Sequence, residues 1–83
     1  MDDAVTFKST AFKHGVEKTD IYNAFDTFIY EEPMEDFINK YLLLGFDTQA
    51  NLLEIMYNRI NVDTINVFHA MPCRKAWRDI GNI

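Results

Sequence analysis

Apolar and polar positions change rhythm along this chain. Ala4, Phe7 and Ala11 recur at i, i+3 and i+7, and Val5 and Phe12 widen the same face, which predicts a helix over residues 4–14. Asp2 and Asp3 precede it, and Lys13 and His14 fall in its last turn, the signs a helix dipole favours. Gly15 then offers the left-handed residue that ends many helices. Ile21, Ala24, Phe25 and Phe28 form the clearest helical stripe and predict a second helix over residues 18–27, opened by Glu17 and Asp20. Only Gly15, Val16 and Glu17 separate the two, so a helical hairpin is expected.

Further on, the period shortens to two. Phe28-Ile29-Tyr30 favours a strand, which Pro33 stops. Tyr41–Phe46 is an apolar run of central-strand length. Leu52 to Arg59 alternates, with Leu53, Ile55 and Tyr57 on one face and Glu54, Met56 and Asn58 on the other. In the stretch Asp63 to Arg74 the first half alternates again and is rich in β-branched residues. Turn-forming stretches at 47–51 and 61–63 join the last three runs into an antiparallel meander, with 28–30 as a fourth strand. After Pro72 a short helix can turn Ala76, Trp77 and Ile80 inward before Gly81 ends it. The expected class is α+β: two N-terminal helices packed on a three- to four-stranded antiparallel sheet, with a short C-terminal helix, in a single domain spanning residues 1–83.

Composition narrows the function classes. The chain is 83 residues long and 48% hydrophobic, which suits one dense core and excludes disorder. Cys73 is the lone cysteine, so no internal disulfide forms. No secretory or membrane-spanning apolar run is present, and a cytoplasmic protein with no membrane partner is expected. Arg74 and Lys75 beside Cys73 would lower an exposed thiol's pKa; the competing reading is a small buried hydrophobe. The net charge of −5 means that RNA can be held only at a local positive patch. Lys8, Lys13 and Lys18 cluster early and Arg74, Lys75 and Arg78 late, while Asp26, Glu31, Glu32, Glu35 and Asp36 concentrate between them.

The candidate chemistry gathers at the end of the last strand. His69 lies there, and Arg74 follows just past the rigid Pro72. Histidine suits proton transfer near neutral pH, and arginine's planar fork suits phosphate. His14 is the second imidazole, Glu54 and Tyr57 are secondary proton-transfer candidates, and Lys13, Arg59 and Arg78 are further cations for an RNA backbone. An even hairpin loop would put Glu54 and His69 on one sheet face; an odd one would put His69 with Tyr57 and Arg59. Each residue also has a plainer reading: a helix-end cation for Lys13 and His14, a satisfied strand histidine for His69, and an exposed helix-start cation for Arg74. No zinc-type spacing, Gly-rich phosphate loop or Ser-centred elbow appears, so neither metal nor cofactor is expected.

Several of these segments match one known pattern. Lys13-His14-Gly15-Val16, followed by a helix ending in Ala24-Phe25, resembles the "KHGV … A … F" opening of BrnT-type ribonuclease toxins. Leu43-Leu44-Gly45 and Leu52-Leu53-Glu54-Ile55 resemble that family's next strands, and Ile65 to Arg74 resembles its closing strand, so residues 5–78 are covered. The resemblance implies a RelE-like α+β fold, an endoribonuclease that cuts RNA without metal, and a small antitoxin protein that neutralises it. It also implies assembly as a homodimer or as a hetero-oligomer with that antitoxin, for whose basic segment the acidic 26–36 region is a candidate seat. The sequence departs from the pattern in three places. Met71 stands for the arginine of the family's "SAR" element, His69 stands for its serine, and the short leading strand is nearly absent. With the acidic balance, the first departure favours an alternative: a non-catalytic protein-interaction module of the same fold.

Overall fold

The computed structural model describes residues 3–35 and 37–82. Asp2 and Asp36, placed above in the first helix start and the acidic loop, lie outside them. Ala4–Phe7 forms strand β1, and a 3₁₀ turn at Ser9–Phe12 follows. Helix α1 spans Lys18–Asp26, and four more strands succeed it: β2 (Tyr30–Pro33), β3 (Lys40–Phe46), β4 (Leu52–Asn61) and β5 (Thr64–Pro72). Helix α2 (Lys75–Ile80) ends at Gly81. The strands form one five-stranded sheet in the order β1-β5-β4-β3-β2, with β1 parallel to β5 and every other pair antiparallel.

This overturns the expected fold class. One helix precedes the meander, not two, and the sheet is mixed and five-stranded rather than antiparallel and three- to four-stranded. The error lies in residues 4–14. The spacing of Ala4, Phe7 and Ala11 fits a helix, but Val5 and Phe7 also alternate with Ala4 and Thr6, and only Val5 and Phe7 turn toward the core. The edge of β5 decides between the two. Ala4 N–H donates to the Asp63 carbonyl at 2.7 Å and Lys8 N–H to the Val67 carbonyl at 2.9 Å. The Thr6 hydroxyl adds bonds to the Ile65 carbonyl and the Asn66 side chain. The leading strand, expected to be nearly absent, is therefore present as β1.

Packing has two sides. On one, α1 lays Ile21, Ala24 and Phe25 against Leu43, Leu53, Ile55, Tyr57, Ile65 and Val67, the main core. Phe28, expected to extend that stripe, lies outside α1 and is exposed. The other side carries a smaller cluster of Leu42, Leu44, Leu52, Met56 and Cys73, against which Trp77 of α2 packs. Helix α1 crosses β3 so closely that a Cβ on Gly45 would come within 2.9 Å of Ala24 Cα and nearer still to its carbonyl. Gly45→Ala is expected to destabilise the chain by about 1–3 kcal/mol, because backbone must yield rather than a side-chain tip. Urea unfolding of the variant checks this. No helix of the described residues is long and apolar enough to cross a membrane.

Candidate active site

The geometry of the site depends on two irregularities in the β4–β5 hairpin. Asn61 pairs with Thr64 across the two-residue turn, but Arg59 pairs with Ile65, which leaves Ile60 as an extra residue on β4. Tyr57 pairs with Val67 and Met56 with His69, which leaves Phe68 as an extra residue on β5. The second shift cancels the first. Beyond Phe68 the register returns to that of an even loop, and Glu54, paired with Met71, shares a sheet face with Met56 and His69.

Glu54 is fully buried. A lone carboxylate there would be costly, yet each of its oxygens accepts two hydrogen bonds. Oε1 takes the Arg74 backbone N–H at 2.9 Å and Arg74 Nε at 3.0 Å. Oε2 takes Arg74 Nη2 at 2.6 Å and His69 Nε2 at 2.8 Å. The Arg74 fork thus grips the carboxylate with two donors. Pro72 ends β5 and the Arg74 backbone is extended at the helix start, which turns its amide toward Glu54. Burial pushes the Glu54 carboxyl upward, but the Arg74 and His69 hydrogen bonds and the Arg74 charge outweigh it and hold it below its ordinary 4.5. The same pairing raises the Arg74 guanidinium. An ionised carboxylate only accepts, so His69 Nε2 is the donor in this bond.

A depressed carboxyl contributes stability that is present above its ordinary value and lost as the pH falls through the folded value. The stability gap between the native chain and Glu54→Gln is therefore expected to shrink as the pH drops below 4.5. Urea midpoints measured between pH 7 and 3 would show it.

The second histidine reaches the cluster from the N-terminal segment. Lys8 N–H bonds to the Val67 carbonyl and the Thr10 hydroxyl donates to the Phe68 carbonyl at 2.7 Å, which ties residues 8–10 along β5 just past its ladder with β1, at the bulge. Gly15, at φ +81°, then turns the chain back toward α1. His14 lands edge-on to His69, with ring centroids 5.7 Å apart. Four residues therefore meet here: His14, Glu54, His69 and Arg74. His14 is exposed, and the Arg74 side chain is half-exposed over the buried Glu54.

The remaining candidates divide. Lys13 is exposed, immediately before His14. Arg78 Nε donates to the Cys73 carbonyl, one residue from Arg74. Arg59 lies on the opposite sheet face near the hairpin and pairs with Asp3 at 2.9 Å, away from His69. Tyr57 belongs to the main core, stacks on Tyr41 with 5.2 Å between centroids, and donates its hydroxyl to Glu31; burial and that bond push its pKa well above the phenol range. The Cys73 thiol is raised, first by burial and then by the Glu54 charge, against the lowering that its basic neighbours suggest in sequence. Thr10 carries no sequence signal for its role, and the Phe68 bulge shows only as a break in alternation at Val67-Phe68.

No protein-family model matches the sequence. No curated protein matches it either. Among solved structures it is similar to the Brucella abortus ribonuclease toxin BrnT, seen at 1.1 Å resolution, with a TM-score of 0.63 over 88% of this chain and 99% of that one. The chain has a BrnT-like fold. At 10% identity the likeness is one of fold. Within this BrnT-like fold the four-residue cluster is built by the ends of β4 and β5, the start of α2 and the segment after β1. Among the described residues no group of three or more His, Cys, Asp or Glu is arranged to hold a metal ion.

Proposed function

We propose that this chain is the toxin-like component of a type II toxin–antitoxin pair, a cytoplasmic endoribonuclease that cleaves RNA without a metal ion. The observation that carries the reading is the His69–Glu54–Arg74 network with His14 against it. Its likeness in fold to a ribonuclease toxin supports the same reading. In this scheme the 2′-hydroxyl attacks the adjacent phosphorus, a P–O2′ bond forms, and the P–O5′ bond breaks. His69 Nδ1 takes the 2′ proton and His14 gives a proton to the departing 5′ oxygen. Arg74 turns its remaining terminal nitrogen, Nη1, to the phosphate, with Lys13 and Arg78 as flanking cations. Glu54 touches no substrate; with both oxygens engaged it is a positioning residue that fixes the His69 tautomer and the Arg74 fork. A small antitoxin protein is the proposed partner.

A second reading, a non-catalytic interaction module, is favoured by one observation. Met71 stands opposite Glu54, so the cluster holds a single guanidinium whose Nε and Nη2 are already given to a carboxylate. Induced expression in a bacterial host separates the two. Under the proposal, induction arrests growth and His69→Gln does not; equal growth of both strains would favour the module.

A further inference from the structure

The second face of the sheet is only partly roofed. Helix α2 has six residues, and Trp77 is its contribution to the cluster over Leu42, Leu44 and Met56. Between α2 and β2 a cleft of about 600 Å³ remains, with Leu42, Met34 and Trp77 in its lining. Phe37 and Ile80 also face it and are 53% and 56% exposed, and the neighbouring Ile38 is 89% exposed. Apolar side chains gathered around a concavity in this way are the usual mark of a protein contact. The charged lining is of one sign: Glu32 and Glu35, both exposed and neither in an ion pair of the described residues.

We propose that this cleft receives a basic amphipathic helix of a partner protein. Its apolar side chains enter between Trp77, Phe37 and Leu42, and its Lys or Arg residues meet Glu32 and Glu35. Three observations select that occupant. RNA would bring phosphates against two carboxylates. A second copy docking face to face would set Glu32 and Glu35 against their own counterparts, on a chain that already carries −5. An added strand has little to pair with, because β2 is only four residues long and ends in Pro33, which has no N–H to give. The overall negative charge also speeds the encounter with a basic segment. The proposal deepens the partner half of the functional reading and does not depend on RNA cleavage.

The test titrates the full chain into a fluorescein-labelled synthetic helix of Lys, Leu and Trp in amphipathic order, beside a scrambled peptide of the same composition. The amphipathic peptide is expected to bind about tenfold more tightly than the scrambled one, and E32K/E35K to weaken it by about tenfold or more. In ¹H–¹⁵N spectra the Trp77 indole is expected to shift on binding. Equal affinity for the scrambled peptide, indifference to E32K/E35K, or no shift at Trp77 would overturn the proposal. So would an RNA oligonucleotide that displaces the peptide from the cleft, or a dimer in sedimentation that Trp77→Ser dissociates. E32K/E35K leaves the histidine cluster intact, so RNA cleavage by that variant reads the nuclease proposal separately.

Discussion

His69→Gln is expected to slow RNA cleavage by about 10²–10⁴-fold, the usual worth of a positioned proton-transfer group. The amide N–H₂ of glutamine can still donate toward Glu54, so the buried carboxylate keeps a donor while the basic ring nitrogen is lost. Stability should change little, within about 1 kcal/mol for the exchange of one hydrogen bond for another. His14→Ala is expected to lower the rate as well and to move the pH–rate profile, because it removes the second proton-transfer group. Single-turnover cleavage of a labelled oligonucleotide by the native chain and both variants gives the comparison. A rate unchanged by His69→Gln would remove His69 from the chemistry.

The second large effect concerns folding. Arg74→Ala is expected to destabilise the chain at neutral pH, because it strips a buried carboxylate of its charged partner. The asymmetry within the pair is the reason. The Arg74 side chain is 55% exposed and reaches water, whereas Glu54 at 0% does not. Without the guanidinium, Glu54 keeps only the Arg74 backbone amide and His69. Burial, already the largest influence on it, is then expected to raise its pKa above the ordinary value. A group raised in the folded state favours folding as the pH falls through that raised value. The variant is therefore expected to lose less stability than the native chain, or even to gain it, on going from pH 7 to pH 5. Adding Glu54→Leu to Arg74→Ala should recover part of the loss, because an apolar side chain needs no partner there. Urea midpoints of the three proteins decide it.

Much of this arrangement can be read in the sequence, and the parts that cannot share a cause. The α1 stripe, the apolar run of β3 and the alternation of β4 follow from residues close together in the chain. β1 does not, because its partner in a parallel ladder lies some sixty residues away and its own spacing fits two periods. Nor do the two bulges, although they decide which sheet face His69 joins. Residue type singles out His14, Glu54, His69 and Arg74 as candidates, and the fold brings these four together. The same reasoning chose Arg59 for its charge, and the register places it on the opposite face with Asp3. Tyr57 follows the apolar side of β4 into the main core. The burial of Glu54, on which its proposed positioning role rests, depends on packing from both neighbouring strands.

The chemical ends left on cut RNA test the central claim most directly. Purified chain, free of any partner, is incubated with single-stranded RNA in excess EDTA, and the products are mapped by mass spectrometry. Attack by the 2′-hydroxyl predicts 2′,3′-cyclic phosphate and 5′-hydroxyl ends from the native chain, and intact RNA from His69→Gln. Uncut RNA in both reactions, or 5′-phosphate ends, would contradict the account.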